Sequence, residues 1–194
     1  MILEDGRGTG RKVRIDGNNR MHTQTVTEPE GIHSAEVGDA YNINTGDISF
    51  SAAGTLLYIK NNEDKDLVVE AIAAGIGNTG THSDIGNITI VRNPTGGDLI
   101  SDATAVSMNQ NRNFGSNKTL TADAYKGKSA GTITGGNNII QFYQGANGRL
   151  FATINLVIPK GGSIGISYDP NLSSGSVNAY VAVIVYLKDP ESKD

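Results

Sequence analysis

TLLYIKNNEDKDLVVEAIAAGIG, residues 55–77, decides the fold class. It holds two apolar runs, Leu56-Leu57-Tyr58-Ile59 and Leu67-Val68-Val69, separated by Asn61-Asn62-Glu63-Asp64-Lys65-Asp66. Each run is too short for a helix and is rich in residues that fit a pleated surface. The polar middle suits a turn, since Asn tolerates left-handed backbone. The stretch reads as an antiparallel hairpin with a charged, solvated tip, onto which further short strands stack.

Working outward, the same pattern continues. Strands are expected over 39–44, 47–50, 87–92, 138–144, 149–157, 164–168 and 177–187. Asn147-Gly148 between two of them signals a second hairpin. The last strand, VNAYVAVIVYL over 177–187, is apolar on both faces. It should therefore be covered on both sides, by the core and by a neighbouring copy. Its even positions Tyr180, Ile184 and Tyr186 are the expected oligomer interface. Residues 109–129 are long for a connection within a domain. They read as a contacting loop or a short helix near 120–125, anchored by Phe114 and Tyr125. No strand–helix–strand alternation occurs, so a parallel sheet is not expected. The reading is all-β: a two-sheet antiparallel sandwich of jelly-roll type, with an immunoglobulin-like sandwich as the second architecture.

Residues 1–34 differ from this body. Arg7, Arg11, Lys12, Arg14 and Arg20 cluster there among glycines, in a chain of net charge −4. The segment reads as an extended arm, either solvated or ordered by laying its basic side chains on an acidic partner. The domain reading is an arm over 1–34, a sandwich over 35–188 and a charged tail over 189–194.

Composition bounds the function. Of 194 residues 37% are hydrophobic and 19% charged, with 25 glycines, a mix poor for helices and good for strands and turns. An acidic chain is not expected to bind nucleic acid. The longest nearly apolar run, 179–187, cannot cross a bilayer, so no membrane partner is expected. Residues 1–6 carry acid where a secretory signal has base, and the expected compartment is the cytosol or a particle assembled there. There is no cysteine.

No catalytic constellation emerges, and the chain is read as non-enzymatic. His22, His33 and His82 lack metal-ligand spacing, so no metal site is expected. The acids within 61–66 lack calcium-loop spacing and read as a solvated turn. Gly6, Gly8 and Gly10 before Arg11-Lys12 lack the flanking strand and helix of a phosphate loop, and Gly127-Lys128-Ser129 lacks its leading glycine. No cofactor is expected.

Several phrases carry a resemblance: LEDGRGTGRKVRIDGNNRM (3–21), LLYIKNNEDKDLVV (56–69), VRNPTGGDLIS (91–101), NRNFGSNKTLTADAYKG (111–127) and VIPKGGSIGISYDP (157–170). In these the chain resembles small virion-associated proteins of tailed bacteriophages, many from marine phages. The resemblance implies a structural component of the particle, foremost a capsid decoration (cement) protein. Such a protein sits as a homotrimer on the outer surface of the head, with the major capsid protein as partner, after assembly in the host cytoplasm. The alternative within the same class is a tail- or fibre-associated sandwich that binds a receptor or glycan. The resemblance assigns no role to any single residue.

Overall fold

The computed structural model describes residues 14–15, 21–22, 29–77, 85–98, 104–105, 110–145 and 147–190. Strands dominate, and every strand pair is antiparallel. In chain order they are β1 (Arg14–Ile15), β2 (Met21–His22), β3 (Ala40–Asn44), β4 (Ile48–Phe50), β5 (Gly54–Lys60), β6 (Asp66–Ile76), β7 (Gly86–Arg92) and β8 (Gly96–Gly97). There follow β9 (Thr104–Ala105), β10 (Gln110–Asn111), β11 (Asp123–Lys126), β12 (Ile133–Thr134), β13 (Asn137–Gln144), β14 (Arg149–Ile158), β15 (Ser163–Asp169) and β16 (Val177–Lys188). A helix, α1 (Glu30–Glu36), precedes β3.

Two sheets face each other. The first runs β10-β3-β16-β6-β14, with β4 continuing the line of β3 along β16. The second runs β13-β7-β15-β5-β11-β9. Taking β3, β5, β6, β7, β13, β14, β15 and β16 as strands 1 to 8, the sheets read 1-8-3-6 and 5-4-7-2. Each sheet thus interleaves early and late strands, which is the double Greek key of a jelly roll. The expected all-β sandwich of jelly-roll type is what the chain forms.

The route through that sandwich corrects the reading of 55–77. The two strands are there, but they do not pair with each other. β5 lies between β15 and β11, and β6 lies between β16 and β14 in the opposite sheet. Residues 61–65 are a corner crossing between sheets. The physical reason is the apolar content of both strands. Leu56, Leu57, Ile59, Leu67 and Val69 are fully buried, and a two-stranded ribbon would leave one face of each wet. The tip is not simply solvated either, for Asn61 is fully buried. Its Nδ2 donates to the carbonyls of Lys65 (2.9 Å) and Ile158 (2.8 Å), and its Oδ1 accepts from the Glu63 amide (2.9 Å). Its backbone joins the next corner too, with Asn61 N–H donating to Gly162 O and Gly161 N–H to Asn61 O. Every polar atom of the side chain is satisfied, which is what allows its burial.

The second expected hairpin is also a corner. Asn147 takes the left-handed conformation (φ 58°), as an Asn-Gly turn asks. But β13 pairs with β7 and β14 with β6, in different sheets.

Within 109–129 the structure has a strand where a short helix was the alternative. β11 pairs with β5 through Ala124↔Ile59 and Tyr125↔Tyr58. Leu120, Ala122 and Ala124 are buried, a period of two that marks extended chain. Tyr125 stacks on Tyr58 (6.1 Å, 12° between planes) and is an anchor as expected. Phe114 is not one, because its side chain stands wholly in solvent.

The core lies between the sheets, with Phe50 set edge-on to Tyr168 at 5.2 Å. β16 sends Val177, Ala179, Val181, Val183 and Val185 into it. The helix α1 packs on β3 and β16, so the body begins near residue 30 and the helix crosses the boundary set at 34/35.

Candidate interaction surfaces

Among the described residues no group of three or more His, Asp and Glu side chains converges as a metal site. The densest charged cluster centres on Asp39, which is nearly buried between Lys118 (2.7 Å) and Lys65 (3.3 Å). Burial pushes the Asp39 carboxyl up, but the hydrogen bonds and charges of the two lysines outweigh it and hold it below the usual range. Lys65 also pairs with Asp189 at 3.3 Å, and the Leu187 amide donates to the Asp39 carbonyl (2.8 Å). The cluster thereby ties the loop before β3, the corner after β5, the 112–121 segment and the end of β16. Burial first, then the Asp39 and Glu63 charges, push the neighbouring Tyr41 hydroxyl up to about 12. These are fastening contacts, and each charge has its partner.

Two acids of the 61–66 corner are engaged as well. Glu63 accepts from the Thr121 amide and Asp64 pairs with Lys160. In Gly127-Lys128-Ser129, the Ser129 hydroxyl accepts from the amides of Ser51 and Ala52 (3.0 and 3.2 Å). A Cβ on Gly127 would fall 1.6 Å from the Thr55 carbonyl oxygen. The motif is a close-packed strap across β5, and its glycine is there for backbone approach.

An open hollow of about 160 Å³, with polar side chains in a largely apolar lining, lies where Asn87 and Thr89 of β7 meet Ser167 and Asp169 of β15, bordered by residues 131–133. Asn87 Oδ1 is shut away there without a protein partner. A hollow of this size has room for an ordered water, which would satisfy that oxygen.

The expected partner contacts fall mostly beyond view. Arg7, Arg11, Lys12 and Arg20 lie outside the described residues. Arg14 lies on β1, its backbone opposite His22 of β2. The expected oligomer residues lie on the outer face of β16. Tyr180, Ile184 and Tyr186 are each half-buried, and their own chain supplies cover. The Tyr180 ring lies over Gly75, where an added Cβ would come within 2.3 Å of it. Burial chiefly, then the Glu30 and Glu70 carboxylates, raise the Tyr186 hydroxyl above its ordinary value. Both the helix α1 and strand β6 thus reach this face.

The most exposed large apolar side chains lie elsewhere. On the flank formed by the edge strands β13 and β14, Tyr143 is 69% exposed, Phe151 68%, Val157 57% and Ile139 41%. Behind them Ile140, Phe142, Leu150, Ile154 and Leu156 are only partly buried. A groove of about 400 Å³ runs there, lined by Ile139, Leu156, Val157, Pro159 and Ile164, with Arg92 at its side. At the other end of the first sheet, Phe114 (101%) and Ile32 (52%) border a second, shallow hollow. Sequence reasoning passed over the β14 flank, although a signal was present: large apolar residues, Phe151 and Val157, stand among Arg149, Thr153 and Asn155 on the face opposite Leu150, Ile154 and Leu156.

No protein-family model matches the chain, and no curated protein matches it. Among solved structures, the chain is similar to a protein of a marine algae virus of the order Picornavirales (10% identity, 96% of this chain and 84% of that one, TM-score 0.20). It is also similar to a chain of infectious bursal disease virus, Gt strain (17% identity, 79% of this chain, TM-score 0.21), and to that of the VP2 subviral particle of the same virus (14%, 78%, 0.19). The chain spans 41% of the length of those two bursal-virus chains. At these scores the likeness is too slight to carry an argument, and the fold assignment stands on the strand order alone.

Proposed function

We propose that this chain is a virion structural protein of the tailed-phage kind, a decoration (cement) protein that binds the outside of the head shell and stabilises it. The observation that carries the reading is the strand order 1-8-3-6 against 5-4-7-2. The jelly roll is a recurrent solution for capsid modules, lectins and cupins. The cupin branch is disfavoured because its metal chemistry needs close histidines, and this chain has three, at 22, 33 and 82. The phage-like phrases then favour the capsid branch over the lectin branch. Fold alone does not fix function, so the sequence resemblance is the second support. In this reading the partner is the major capsid protein, and copies of the chain associate as a homotrimer. The basic arm meets an acidic shell surface, where Arg forms paired hydrogen bonds with carboxylates.

The test is cosedimentation with purified head shells that lack the protein. The full chain is expected to bind, and a chain lacking residues 1–20 is expected to lose binding while keeping its β-rich circular dichroism. Failure of the full chain to bind would remove the decoration role. Equal binding by the truncated chain would remove the arm from it. A receptor- or glycan-binding tail module is the second reading, favoured by the exposed Tyr143 and Phe151 rings. Clean binding on a glycan array, with no binding to shells, would select it.

A further inference from the structure

We propose that copies of this chain join head to tail, with Phe114 of one copy seated in the apolar groove beside β14 of the next. This goes beyond the virion reading and stands or falls separately from it.

The knob is preorganised. Phe114 has no cover from its own chain, yet the turn that carries it is pinned on both sides. Asn113 Nδ2 donates to the Glu36 carbonyl at 2.6 Å, and Asn111 Nδ2 donates to the Gly38 carbonyl at 2.8 Å. Asn111 Oδ1 accepts from the Asn113 amide and Asn113 Oδ1 from the Gly115 amide, at 2.8 and 3.0 Å. The Arg112 guanidinium pairs with Glu70 at 3.2 Å. With the turn already fixed, docking has only the two side-chain torsions of the ring left to order, a low cost for the large apolar area an interface anchor buries. The exposed Ile32 extends its apolar footing.

The groove fits that knob. Its volume of about 400 Å³ exceeds the ~150 Å³ that houses a benzene ring in an apolar cavity. Its flanking strands leave the approach open, since β13 carries no charge and β14 only Arg149, where exposed edges are normally guarded by lysine or proline. Charge agrees: Glu36 borders the knob, and Arg92 borders the groove. The knob lies beyond the β10–β3 end of the first sheet and the groove beside β14 at its other end, so no chain fills its own groove. Two different surfaces in contact make a heterologous interface, which closes as a ring or extends as a filament.

The experiment is light scattering of the purified full chain and of the variants Phe114→Ser and Val157→Asp. Both positions are exposed, and unchanged melting curves verify folding. The wild type is expected to assemble at about 100 μM or below, and each variant to raise the dissociation constant at least ~10-fold. Each variant keeps one intact surface, so mixing the two should form a one-to-one pair that neither forms alone. Reversing Glu36 and Arg92 together should restore what reversing Glu36 alone weakens. A monomeric wild type at that concentration would overturn the proposal, as would variants that assemble like the wild type. Mixed variants that fail to pair would overturn the head-to-tail arrangement. Assembly lost in Ile184→Lys but kept in Phe114→Ser would place the contact on β16 instead.

Discussion

Strands β16 and β14 flank β6 on its two sides, and both alternate apolar residues on two faces. Their fates differ. β16 has β3 and β4 on its far side, and Val181, Val183 and Val185 are wholly buried. β14 ends its sheet, so its inward Leu150, Ile154 and Leu156 are only partly covered and its outward Phe151 and Val157 stand in water. One-dimensional pattern therefore tells which residues share a face. Position in the sheet tells whether that face is dry. The closed centre carries stability, and the open flank is free to carry contacts.

Four changes would break or sharpen that contrast. The largest effect is expected at Asn61, in the corner that closes one end of the sandwich. Asn61→Ala takes hydrogen bonds from the buried Ile158 carbonyl and from the part-buried Lys65 carbonyl and Glu63 amide, and should cost about 3 kcal/mol by urea unfolding. A loss under about 1 kcal/mol would mean that the corner does not hold the sheets together. Next, Val183→Ala at the centre of β16 deletes two buried methyls and should cost about 2 kcal/mol.

Asp39 comes third. Its folded pKa is depressed, so its contribution is complete above the ordinary carboxyl value of about 4 and disappears as pH falls through the folded value. Asp39→Asn should cost about 1–2 kcal/mol at pH 7. The gap to the wild type should close progressively below about pH 4 in melting curves taken across pH. A gap that persists at the lowest pH would assign the loss to packing rather than charge. Smallest is Val157→Ala on β14, expected to change stability by less than about 0.5 kcal/mol. A loss equal to that of Val183→Ala would show the flank to be as dry as the centre.

Much of the fold was legible. The strands at 87–92, 138–144, 149–157, 164–168 and 177–187 all form, because period-two apolar patterning is a local property. What eluded the sequence was pairing. Asn61 and Asn147 each sit between two strand patterns, the usual mark of a hairpin. Yet each joins strands of opposite sheets: β5 and β6 are central strands with two apolar faces that need two neighbours and a facing sheet, while the edge strands β13 and β14 take their single partners, β7 and β6, in different sheets. The burial of Asn61 depended on the Ile158 carbonyl, far along the chain, and no local signal reports that. Phe114 shows the opposite limit. An aromatic in a loop reads as an anchor by residue type, and only the fold shows it turned away from the body. The Tyr180 and Tyr186 rings read as a second apolar face of β16, and the cover they draw from Gly75 and α1 was equally out of local sight.

The strand order also sets a timetable. β16 is the last strand of the sandwich in chain order, yet it lies in the middle of the first sheet, between β3 and β6. Until residue 188 emerges, that sheet is two separate pieces with raw inner edges. The corner at Asn61 likewise waits for Ile158 before its amide is satisfied. Such long-range closure places the chain among slow, late-folding topologies. The sandwich strands made earlier must keep their apolar faces apart until β16 has emerged, and β16 then acts as the keystone that joins the two pieces of its sheet.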